Sequence, residues 1–100
     1  MKSIENVTEE LKKRIEACDV EFYERGKKLD LETVEIKCIN ETSFDKKNPK
    51  LLEFQGVVEY YIKYNDSQTI QNEFANFTVD IELDENDNIP KYLRIDLIIR

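Results

Sequence analysis

The chain has 100 residues, 40% hydrophobic and 37% charged, with a formal net charge of −7. That length holds one domain with one core, and ten aromatic residues supply enough apolar bulk to argue against disorder. An acidic chain lacks the basic face that nucleic-acid phosphates require, no apolar run nears the ~20 residues that cross a membrane, and the absence of histidine removes the commonest general base and metal ligand.

The N-terminal residues Met1-Lys2-Ser3-Ile4-Glu5-Asn6 are polar and carry no apolar secretion signal, so a cytoplasmic protein is expected. Ile4, Val7, Leu11, Ile15, Cys18 and Phe22 follow one another in steps of three and four, which predicts a helix over 4–25. Ser3 or Asn6 is its expected N-cap, and Gly26 its left-handed stop.

Beyond Leu31 the period switches to two. Val34, Ile36 and Cys38 alternate with polar residues and predict a strand over 32–40, with Cys38 facing the core. A loop over 41–49 follows, ending in Pro49. Leu52, Phe54, Gly56, Val58, Tyr60 and Ile62 mark one face of a second strand over 51–64. Ala75, Phe77, Val79, Ile81 and Leu83 do the same for a third over 69–84, beyond a turn at Asn65-Asp66-Ser67-Gln68. Another turn occupies residues 84–88, and Leu93, Ile95, Leu97 and Ile99 end the chain as a fourth strand. If the first of these turns centres on Asp66-Ser67, paired residue numbers sum to 133. Val58 then faces Ala75, Gly56 faces Phe77, Phe54 faces Val79 and Leu52 faces Ile81, all apolar pairs. A slip of one residue would turn the whole set to solvent.

The expected fold is therefore α+β, with one N-terminal helix packed on a four-stranded antiparallel meander. The α-β-β-β-β order resembles the cystatin-like roll, which protease inhibitors use and NTF2-like pocket proteins elaborate, and Tyr60-Tyr61-Ile62-Lys63 looks like a cystatin strand. Glu59 stands where the inhibitor motif Q-x-V-x-G places its glycine, so the resemblance implies a topology and no inhibitory residues.

Chemistry-bearing patterns are sparse. Asp84-x-Asn86-x-Asn88 copies the start of a calcium loop, but Ile89 and Ile95 occupy the positions where such a loop needs glycine and glutamate, so a turn is expected. Asp80, Glu82 and Asp84 are expected along one solvent face as an acidic surface. Cys18 and Cys38 lack C-x-x-C spacing and are expected to pack in the core. Four N-x-S/T triplets begin at Asn6, Asn40, Asn65 and Asn76, and turn or capping roles account for the first three. No catalytic residue, metal site or cofactor is predicted.

The side of the sheet away from the helix is the suggestive one. Ile39, Val57, Tyr61, Phe74, Tyr92 and Ile98 are expected there, three of them aromatic, where a solvated face would be polar. They predict a partner-binding surface. The expected function is a non-catalytic protein-interaction module of adaptor, immunity-type or phage-inhibitor kind. Its partner is a protein, basic in charge or a second copy forming a homodimer through the sheet. The alternative is a small-ligand pocket between helix and sheet. Ile, Asn and Lys, with AT-rich codons, make up 30 residues against 6 for Ala, Gly and Pro, which suggests a low-GC bacterium or its phages and mobile elements.

Overall fold

The computed structural model describes residues 3–43, 48–63 and 70–99. Helix α1 spans Ile4–Glu16 and is followed by β1 (Glu21–Glu24), β2 (Lys27–Leu29), β3 (Val34–Glu41), β4 (Leu51–Lys63), β5 (Ile70–Glu82) and β6 (Arg94–Ile99). The six strands form one mixed sheet in the order β2-β1-β6-β5-β4-β3. Consecutive strands from β3 to β6 pair antiparallel, so the expected meander is present. The sheet is wider than expected because β1 joins β6 in parallel and brings β2 with it.

The helix begins as its sequence dictates. Ser3 is the N-cap, and its hydroxyl accepts from the Asn6 N–H at 3.2 Å. It ends about nine residues before the expected position, for a local reason. Cys18 adopts φ 57°, its N–H donates to the Ile15 carbonyl, and the Asp19 N–H reaches back to Arg14. These two bonds form a Schellman motif, with a cysteine in the left-handed place that glycine usually takes. Phe22 continues the helical spacing by coincidence. It lies on β1, where it is buried on the core face. Gly26 stops no helix. With Arg25 at φ 50° and Gly26 at φ 79°, it makes the two-residue turn joining β1 to β2. Positive φ at both central residues gives the primed turn geometry that suits the twist of a hairpin.

Val7, Leu11 and Ile15 carry the helix stripe onto Val34, Ile36, Phe54, Val58, Phe77 and Ile95 in a single core. Two polar contacts fix the helix laterally. The Arg14 guanidinium donates to the carbonyls of Pro90 (2.6 Å) and Lys91 (2.7 Å), tying the helix end to the approach to β6. The Glu16 carboxylate accepts from the outward N–H of Ile36 at 3.0 Å, which occupies a donor of the edge strand β3.

The β4–β5 register sums to 133 at every described pair, from Leu51 with Glu82 to Lys63 with Ile70. The turn expected at 65–68 lies outside the described residues. One irregularity changes the faces of β3. Ile36 pairs with Val58 and Cys38 with Val57, so Lys37 is an extra residue, a β-bulge. Beyond it the alternation inverts. Cys38 is exposed on the outer face rather than in the core, while Ile39 pairs with Gly56 and packs against the core. The bulge also brings the Cys38 carbonyl over Gly56, where a Cβ would overlap it.

Candidate functional site

The outer face is read in rows across the strands. Asn40, Gln55, Thr78, Asp96 and Tyr23 form one row, and Cys38, Val57, Asn76 and Ile98 form the next. Glu35, Glu59 and Phe74 follow on one side, with Tyr61 opposite Asn72 beyond them. On the other side Glu53 faces Asp80. Of the six predicted contact residues, the structure brings Val57, Tyr61, Phe74 and Ile98 together. Phe74 is 45% exposed and Ile98 60%, while Val57 and Tyr61 are half-buried. Ile39 is removed from this face by the bulge at Lys37.

Tyr92 stands apart, before β6, in a second cluster. Its phenol bonds to Glu21 and Tyr23, and the Glu21 carboxylate holds its pKa up to about 12. The same contact, with help from Lys28 and Tyr23, lowers the Glu21 carboxyl. Arg94 lies over the Tyr23 ring at 4.2 Å and pairs with Asp96 at 3.0 Å.

The described cations of this face are already engaged by carboxylates. Among the described residues Lys28, Lys37 and Arg94 each already lie within 3.4 Å of a carboxylate. Lys37 bridges Glu35 and Glu59, and Glu35 chiefly raises its pKa. Glu59 is buried, with Lys37 on one oxygen and the Asn72 amide on the other at 3.2 Å, so its charge is neutralised in place. Asp80 and Glu82 project from β5 with Glu53 close by, and like charges directly opposite on a sheet repel.

Asp84 belongs to a turn and not to that row. Its Oδ1 accepts from the backbone N–H groups of Asn86 (2.8 Å) and Asn88 (2.9 Å), bonds that pull its carboxyl below the usual range. Lys50 closes the loop on the Asp84 carbonyl and the Asp87 carboxylate. Among the described residues no three His, Cys, Asp or Glu side chains gather as metal ligands would.

Between the two central rows lies a groove of about 480 Å³, lined by Asn40, Thr42, Gln55, Val57, Asn76, Thr78 and Ile98, with Gly56 and Phe77 beneath. Contact patterning in the sequence did not single out its polar residues, although a signal was present. Asn76-Phe77-Thr78 lies on β5 and Asn40-Glu41-Thr42 runs off the end of β3, and period two throws Asn and Thr of each to one side. Asn76-Phe77-Thr78 thereby gains the structural account it lacked. Comparison with protein-family descriptions, with curated proteins and with solved structures finds no match to this chain.

Proposed function

We propose that this protein is a non-catalytic interaction module that receives a protein partner on the outer face of its sheet. One observation carries the reading. Phe74 and Ile98 stand exposed beside Val57 and Tyr61, on adjacent strands of a sheet whose other face already holds the core. Such an apolar centre with a polar rim is the anatomy of a contact surface. The surrounding carboxylates steer a basic partner toward it and set a salt dependence. An adaptor, an immunity-type neutraliser or a phage or mobile-element inhibitor acts in this way, in the cytoplasm. The N-terminal helix and the antiparallel β3–β6 meander resemble part of the cystatin-like roll, with β1 and β2 set between them, and support this reading only as a scaffold. A ligand pocket between helix and sheet has less support, because Val7, Leu11 and Ile15 close on Phe54, Val58 and Phe77 there.

The test compares the wild type with Tyr61→Ser/Phe74→Ser in capture of partners at low and high salt, alongside sedimentation. The reading predicts a partner that is lost by the variant and weakened by salt. A wild type that dimerises, more tightly as salt rises, replaces the basic partner with a second copy. A variant that keeps every partner of the wild type ends the reading.

A further inference from the structure

A second opening on the outer face has its cause in the fold. The β5–β6 ladder runs from Ala75 with Ile99 to Thr78 with Asp96, and continued further it would set Asp80 opposite Arg94. The chain before β6 is instead drawn away from β5. The Leu93 carbonyl accepts from the Glu21 N–H at 2.9 Å, and the Arg14 guanidinium holds the carbonyls of Pro90 and Lys91. The space beside β5 is a cleft of about 280 Å³, lined by Asp80, Pro90, Tyr92, Leu93, Arg94 and Asp96. Small-molecule clefts begin at ~300 Å³, so this one suits a single long side chain rather than a free ligand. Asp96 and Ile98 are successive outer-face residues of β6, and the cleft therefore adjoins the apolar centre of the surface.

Most of the wall is fixed from within. Arg94 lies over the Tyr23 ring at 4.2 Å and its Nε donates to Asp96 at 3.0 Å, so those two charges are matched. The Tyr92 phenol is bonded to Glu21 and Tyr23, while the residue itself stays 62% exposed. Asp80 differs. It is exposed, and no hydrogen bond or ion pair joins it to another described residue. A carboxylate guest would be repelled by Asp80, and an apolar one would desolvate it without pairing it. A cation pairs with it. A guanidinium offers a carboxylate two parallel donors and a ring a flat face, whereas an ammonium offers a point charge. The fold already builds this arrangement once, with Arg94 between the Tyr23 ring and Asp96. Asp80 and Tyr92 bring the same two kinds of group to the neighbouring cleft. Resting on the interaction reading above, we infer that this cleft seats an arginine side chain of the partner. Its guanidinium pairs with Asp80 and lies on the Tyr92 ring, and its stem runs against Pro90 and Leu93.

The experiment is an NMR titration of the intact protein with N-acetyl-argininamide and N-acetyl-lysinamide at constant ionic strength. The arginine probe should shift the backbone signals of Asp80, Tyr92, Leu93 and Arg94 saturably, and the lysine probe should bind about threefold more weakly. Asp80→Asn, nearly isosteric at an exposed position, should fold and weaken the arginine probe about threefold, the loss typical of an exposed ion pair. Glu82→Gln removes the same charge from an exposed position outside the cleft and should leave the arginine probe unaffected. Tyr92→Leu should abolish the preference for arginine over lysine. The inference is overturned if the arginine probe gives no saturable shift at the cleft, if lysine binds the wild type equally well, or if Asp80→Asn has no more effect than Glu82→Gln. Those outcomes remove the arginine seat alone. Capture that survives Tyr61→Ser/Phe74→Ser removes the interaction reading itself, so the two failures are distinct.

Discussion

A single methyl group added at Gly56 probes the bulge, the register and the core together. In Gly56→Ala the new Cβ would lie 2.6 Å from Cε1 and 2.8 Å from Cζ of Phe77, and would overlap the Cys38 carbonyl. Ordinary contact begins at 3.4 Å, so the ring must retreat by roughly 0.8 Å within a close-packed interior. Phe77 is 1% exposed and has no open side to move into. The carbonyl can turn away only by disturbing the bonds that Cys38 and Ile39 make with β4. Overpacking of this kind costs ~1–3 kcal/mol, and the two simultaneous obstructions place it in the upper half. The stiffer unfolded chain returns ~0.4–1 kcal/mol, leaving a net loss of roughly 1.5–2.5 kcal/mol. For a domain of this size that lowers Tm by roughly 6–20 °C. Thermal melts followed by circular dichroism measure it directly. Phe77→Leu made in both backgrounds should cost less in Gly56→Ala than in the wild type, because the smaller side chain relieves half of the obstruction. A Gly56→Ala protein that melts with the wild type would refute both the Gly56–Phe77 pairing and the bulge.

Two further outcomes are expected. Arg25→Asn places a residue that tolerates positive φ in the exposed β1–β2 turn, and should raise the denaturant midpoint by about 0.5 kcal/mol of stability without changing the m-value; a loss of stability would contradict the turn geometry. Tyr60 is fully buried with no hydrogen-bond partner for its hydroxyl, and burial pushes its pKa up to about 12. Tyr60→Phe should therefore stabilise the fold by about 1 kcal/mol at neutral pH. Because the folded pKa lies above the unfolded ~10, stability is lost as pH rises from about 10 to 12, and the variant should lose less over that window. Urea titrations at pH 7 and in that alkaline range would show it, and an unchanged or lowered stability would mean that the hydroxyl is satisfied.

The long hairpin was legible because each member of β4 and β5 repeats at period two, and only one register pairs every apolar residue. The N-terminal third was not. Cys18 holds the left-handed position that ends α1 without being a residue type that announces it. Phe22 falls on the extrapolated helical stripe, which hides a short strand whose turn contains Gly26, the expected helix stop. The bulge at Lys37 was equally hidden, since Val34, Ile36 and Cys38 alternate whether or not one residue is extruded beyond Ile36. Of the six residues expected on the outer face, strand alternation alone locates Val57, Tyr61, Phe74 and Ile98 there. Tyr92, exposed beside Glu21 and Tyr23, lies on that face too, just before β6, while Ile39 depended on the bulge. The groove went unrecognised because its residues are neutral and polar, and an apolar count passes over them.

The parallel pairing of β1 with β6 also orders events in time. β1 has only β2 and β6 as neighbours in the sheet, and its partner positions, Glu21 with Arg94 through Glu24 with Leu97, lie about seventy positions apart along the chain. A contact of that span forms late and slows folding. While the chain is being synthesised at ~5–20 residues per second, the β1–β2 hairpin and the apolar side of Phe22 wait for a strand made about seventy residues later. During that interval the meander can close through β5 and α1 can pack against it, but β1 and β2 have no edge to join. Phe22 is buried on that side only once β6 has been made and paired with β1.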